Sequence, residues 1–157
     1  MRTRLRPHLL SFERSWTDAA FDAIYPHGTA LGPGVASMHP ARFFDDALRD
    51  LPLEQSLGLR IALWIVALAP LFTITKLGTI ASVAPAERTR VLERLLASPI
   101  YAVRQLVMAL KAMATLLYAQ SAAVRAAMTT PNRLVALRRK DDVEGDRHHA
   151  HAHAAAE

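Results

Sequence analysis

Apolar residues along most of this chain recur at helical rather than alternating spacing. Phe12, Trp16, Ala19 or Ala20, and Ile24 mark one face of a helix over 11–24. Tyr25-Pro26 ends it, because the residue before a proline is pushed out of the α region. Residues 25–40 hold three Pro and three Gly and predict a long irregular loop. His39-Pro40 opens a short helix with Phe43, Phe44, Ala47, Leu48 and Leu51 on its apolar side. Pro52 restarts the chain into a third helix through Leu53, Leu57, Ile61, Leu63, Trp64, Ile65 and Leu68. Pro70 should kink or end that helix, since proline lacks the i→i−4 donor. Pro85 begins a fourth, over 86–96, with Glu87 in the first turn and Val91, Leu92, Leu95 and Leu96 buried. Ser98-Pro99 signals the start of the longest helix, 99–120. Its seam of Ile100, Val103, Val107, Leu110, Ala114 and Leu117 calls for a neighbouring helix. Arg104 and Lys111 fall outside the seam. A short helix over 122–128 ends near Thr129-Thr130-Pro131.

These elements predict an all-α fold: a single bundle of five to six helices with a long Pro/Gly loop after the first. Residues 1–10 read as a flexible arm and 11–130 as the helical domain. Residues 131–157 turn basic and His-rich and read as a flexible, disordered tail. The stretch 57–85 (LGLRIALWIVALAPLFTITKLGTIASVAP) is the ambiguous part. A membrane-spanning helix needs about 20 largely apolar residues. Only fifteen lie between Ile61 and Lys76, and Pro70 interrupts them. The pattern therefore favours a kinked helix plus return segment at the centre of a bundle. The alternative is a small membrane-anchored helical protein with 61–83 in or on the bilayer.

Composition narrows this picture. The 157 residues are 52% hydrophobic, rich in Ala and Leu, and poor in aromatic and β-branched types, which favours helix over sheet. With no Cys there is no disulfide framework, thiolate metal site or thiol nucleophile. The net charge of +5 is spread along the chain, with no dense basic stripe interleaved with aromatics, so no nucleic-acid partner is expected. Arg2, Arg4 and Arg6 start like a signal-peptide n-region, but no apolar segment follows and no twin-Arg pair occurs. No export signal is recognised, and the expected location is cytoplasmic or peripheral to the cytoplasmic membrane.

Candidate chemistry is sparse. His148, His149, His151 and His153 alternate as metal-chelating imidazoles do, but a defined site needs fixed geometry and an outer shell, so they read as solvated tail. Asp45 and Asp46 are adjacent and point about 100° apart on a helix, which suits solvated surface rather than a catalytic pair. The glycines of the 25–40 loop lack phosphate-loop spacing and the Lys-Ser/Thr that would follow. His27 and His39 flank that loop without an orienting acid. Tyr101 and Tyr118 read as core-edge residues of the long helix. Arg104 and Lys111, seven residues apart, share a face that is either solvated or meets an acidic partner.

Three segments, FDAIYPHGTALGPG, FFDDALRDLP and AERTRVLERLLASPIYAVRQLVMALKAMATLLYAQ, resemble the small-subunit family of gluconate 2-dehydrogenase (subunit 3). Similar helical segments precede some GMC-type flavin oxidoreductases. The resemblance covers about two thirds of the chain and is one of pattern. It implies an all-helical, non-catalytic accessory subunit. Such a subunit associates with and stabilises a large FAD-dependent alcohol or sugar dehydrogenase or oxidase, often beside a cytochrome c subunit. The chain itself would bind no cofactor, FAD lying in the partner. The chain departs from the family in lacking a twin-Arg signal and in the apolarity of 57–85. On this reading the partner surface comprises Leu57, Ile61, Trp64, Ile65, Leu68, Leu71, Phe72, Tyr101, Arg104, Lys111 and Tyr118.

Overall fold

The computed structural model describes residues 8–27 and 34–129. Among them there are seven α-helices and no strand: α1 Ser11–Ile24, α2 Pro40–Asp50, α3 Leu53–Leu68, α4 Pro70–Thr73, α5 Pro85–Leu96, α6 Tyr101–Gln120 and α7 Ala122–Thr129. A 3-10 turn, Val35–Met38, lies in the loop between α1 and α2. The all-α bundle expected from the sequence is therefore present. The tail, with His148, His149, His151 and His153, lies outside the described residues.

The longest helices, α3 and α6, pack against each other, and α1 packs against both as well as against α2 and α5. Phe21, Leu63, Val66, Val91, Leu110 and Ala114 are buried in the common core. Phe21 meets Phe44 edge-on at 5.9 Å, joining α1 to α2. Tyr25 stacks on Tyr118 at 4.5 Å, and its hydroxyl reaches Thr115 Oγ1 at 2.9 Å. Both ends of α2 are served from neighbours. Asp18 on α1 accepts the Ala41 N–H at the start of α2 (3.0 Å). Ser56 donates its hydroxyl to the Leu48 carbonyl at the end of α2 (2.7 Å).

Four details differ from the sequence expectations. Pro70 ends α3 and then starts a separate one-turn helix, which helps bring the count of α-helices to seven. The long helix begins at Tyr101 rather than at Pro99, because Ser98 Oγ accepts the Ile100 N–H (3.2 Å) and holds the chain extended there. Residues 8–10 are no loose arm: Leu9 is buried, and its N–H donates to Asp45 Oδ1 (2.8 Å). Asp45 is accordingly buried, not solvated, and Arg49 and Arg14 face its other oxygen. Burial would raise the Asp45 carboxyl, but the Leu9 amide and these guanidinium groups outweigh it and hold the group below the usual carboxylate range.

After α4 the chain reverses through Thr75 and Gly78, both at positive φ (53° and 143°). A Cβ on Gly78 would run into Ser82 Oγ, so glycine is required there. The reversal returns Ile80 to the core, where its N–H donates to the Ala67 carbonyl (2.9 Å) at the end of α3. That bond replaces a donor the Pro70 break would otherwise leave missing.

Candidate functional site: an apolar groove between α3 and the α5–α6 junction

From Ile61 onward helix α3 is apolar all round, yet only one side of it faces the core. Leu59, Ala62, Leu63, Val66 and Ala67 are buried. Leu53, Leu57, Ile61 and Trp64, at spacings of four, four and three, remain exposed on the opposite side. That exposed side forms one wall of an open groove of about 820 Å³. Ile65, Leu68 and Phe72 extend this wall, and Leu95, Pro99, Ile100 and Val103 face it from the α5–α6 junction. Phe72 is 81% exposed, an unusual position for a phenyl ring.

A buried carboxylate fastens the groove wall to α1. Glu13 lies at the third position of α1 and is fully buried. It accepts Arg60 Nε–H and Nη2–H at 2.7 Å each, Trp64 Nε1–H at 2.8 Å and the Leu10 backbone N–H at 2.8 Å. Both oxygens are thus doubly engaged. Burial would raise the Glu13 carboxyl, but the hydrogen bonds from Arg60, Leu10 and Trp64 prevail and lower it. Trp64 also packs edge-on against Trp16 (5.2 Å) and Phe12 (5.9 Å), so its ring is fixed on two sides.

The rim is cationic. Arg60 and Arg94 are the charged residues of the lining, which contains no acid. Arg60 is neutralised by Glu13. Arg94 donates to the Thr73 carbonyl, and Arg104 to the Ser98 carbonyl (2.6 Å) while lying over the Tyr101 ring. Neither Arg94 nor Arg104 is in an ion pair among the described residues.

Of the residues assigned from sequence to a partner surface, the groove brings together Leu57, Ile61, Trp64, Ile65, Leu68 and Phe72. Tyr101 and Arg104 stand beside its α6 end. Leu71 is half-buried outside the lining, and Lys111 is exposed farther along α6. Tyr118 is corrected: it is 3% exposed and stacked on Tyr25, a core residue with no accessible face to offer. The sequence reading missed Glu13, Arg60 and Arg94. Arg60 had a signal, being the lone charge between Leu57 and Lys76. Glu13 is an acid three residues past the helix-capping position, which points to the amide it accepts but not to its distant partners.

The other candidates stay apart. His27 accepts the Gly34 N–H at Nδ1 (3.4 Å), and His39 sits at positive φ before α2. Neither imidazole is paired with a carboxylate among the described residues. Among these residues no group of three or more His, Asp or Glu side chains converges as a metal site requires. Residues 61–83 do not form one helix, being divided at Pro70 and again by the reversal. The one described helix long and apolar enough to cross a membrane is α6, with mean hydropathy 1.2. Length and composition alone pass it, as they pass many core helices. Compared with family models, curated proteins and solved structures, the chain matches none.

Proposed function

We propose that this chain is a non-catalytic helical subunit that acts by binding another protein through the α3/α5–α6 groove. Supporting this is one observation above all: an open apolar groove walled by Leu57, Ile61, Trp64 and Phe72 on a domain that already has a complete core. Apolar surface of that shape gains free energy when a partner covers it. The sequence resemblance suggests the partner's class, a large FAD-dependent GMC-type alcohol or sugar oxidoreductase, with a cytochrome c subunit as a further member. FAD would belong to the partner, and this chain would stabilise it.

Co-expression with a GMC-type flavoprotein encoded beside this chain, followed by size-exclusion chromatography with light scattering, tests the proposal. A stable complex that Ile61→Asp abolishes is the expected result. A wild-type chain that stays separate from the flavoprotein would overturn the assignment. A second reading, attachment to a membrane surface, draws support from Leu77, 97% exposed at the reversal after Phe72. Retention in the membrane pellet after carbonate extraction would favour it over the subunit reading.

A further inference from the structure

The two buried acids among the described residues, Glu13 and Asp45, hold the same short piece of backbone. Leu10, just ahead of α1, is extended (φ −71°, ψ 159°). The Leu9 N–H donates to Asp45 Oδ1 and the next amide, Leu10 N–H, to Glu13 Oε2, each at 2.8 Å. A carboxylate inside a protein carries a desolvation cost, and this chain meets it twice to fix consecutive amides. Little else holds the strap formed by residues 8–10. Leu9 is its one buried side chain, while His8 and Leu10 are exposed. Detaching it uncovers far less apolar surface than opening the bundle, which makes it a unit able to open locally.

The two carboxylates reach onward in different directions. Glu13 grips Arg60 and Trp64 of α3, and both residues line the groove. Asp45 faces Arg49 on its own helix, Arg14 of α1 at 3.6 Å and His8 of the strap at 3.8 Å. Asp46, beside it, shares Arg49. Burial raises both carboxyls, and the donors around them outweigh it, so each keeps its charge below the ordinary carboxylate range. The hold on the strap is therefore complete at neutral pH and is lost as pH falls through the lowered, folded values. The two amides are joined through the Leu9 backbone, so freeing one slackens the other.

We propose that residues 8–10 form a latch on the groove wall, which protonation of Glu13 and Asp45 releases as one unit while the helical bundle stays folded. Release frees the Trp64 indole N–H and leaves Arg60 without its counter-charge, so the groove lining gains an unpaired guanidinium. The state of the latch thereby sets the charge of the groove, whatever occupies it. This goes beyond the subunit reading and does not depend on it.

The two tryptophans of the chain, Trp16 and Trp64, pack edge-on at 5.2 Å beside this cluster, so their emission reports on it. The test follows emission and far-UV circular dichroism of the full chain as pH is lowered from neutrality. Emission should change first, while the helical signal is intact, and more steeply than a single titrating group allows. Leu10→Pro should raise the emission midpoint by about one pH unit, since proline suits the Leu10 φ of −71° and removes the N–H. Leu10→Ala, which keeps the N–H, should leave the midpoint in place. Asp45→Asn should also raise the midpoint and lower the steepness to that of one group, although the Trp64 indole bonds to Glu13 and not to Asp45. Dichroism at neutral pH confirms that each variant is folded, and if Leu10→Pro is not, the Asp45→Asn comparison decides. Emission and dichroism that change together overturn the proposal, as does a Leu10→Pro midpoint equal to that of Leu10→Ala. A single-group slope in the wild type, or a midpoint indifferent to Asp45→Asn, shows two independent carboxylates and equally ends the idea of one latch. The chain alone suffices for this test, so its result stands apart from that of the co-expression experiment.

Discussion

The two sides of α3 carry almost the same chemistry and meet opposite fates. Leu63 and Val66 point into the bundle and are sealed by α1 and α6, whereas Ile61 and Trp64, on neighbouring turns, face an open trough. Hydropathy cannot tell the sides apart, because it registers residue type and not what covers it. What distinguishes them is anchoring. The inner side is held by close packing, while the outer side is held where Glu13 grips Trp64 and Arg60 and where Trp16 and Phe12 pack on the Trp64 ring. A helix with apolar residues on two opposite sides in a domain of this size therefore indicates two interfaces, of which the fold itself completes one.

The largest effect should come from the inner side. Leu63→Ala should cost about 3–5 kcal/mol in urea unfolding, through lost burial and the cavity left behind. Next comes the clasp between the sides. Glu13→Gln should cost about 2–3 kcal/mol, since it leaves the Arg60 charge and its donors poorly matched. Wild-type stability should also be acid-sensitive there. The folded Glu13 carboxyl is lowered below 4.5, so its contribution is complete above that pH and is lost as pH falls through the lower, folded value. Urea midpoints of wild type and Glu13→Gln measured down that range should converge. A gap that persists in acid would mean the clasp acts by packing alone.

Smaller effects probe the reversal and the outer side. Thr75→Gly should raise stability by about 0.5–1 kcal/mol, by relieving a β-branched residue at positive φ. Ile61→Asp should change the unfolding free energy by less than about 0.5 kcal/mol, because its surroundings stay hydrated. If Ile61→Asp instead costs as much as Leu63→Ala, the outer side belongs to the core and the contrast disappears.

Much of this architecture was legible from residue pattern. The bounds of the first and third helices, the start of α2 at Pro40 and the break at Pro70 follow from local rules about proline and spacing. Six groove residues were recognisable because an unusually apolar stretch holds more such side chains than one core-facing side can use. The misplaced residues all depend on distant partners. Asp45 looks like surface until Leu9 and Arg14, over thirty positions earlier, are brought against it. Tyr118 looks like rim until Tyr25 is stacked on it. Glu13 and Arg60 are 47 positions apart, and no local rule joins them. Periodicity reports which side of an element is apolar, whereas long-range pairing decides which polar groups go inside.

The Glu13 clasp has a practical consequence for handling the molecule. One of its four hydrogen bonds comes from the Leu10 backbone, so the start of the folded region and the groove wall are two ends of a single polar cluster. Trimming or proteolysis that removes the segment through Leu10 would strip a donor from that cluster and slacken Trp64, some fifty positions away in sequence. Affinity tags and fusions intended to leave the binding surface untouched belong at the other terminus, beyond α7.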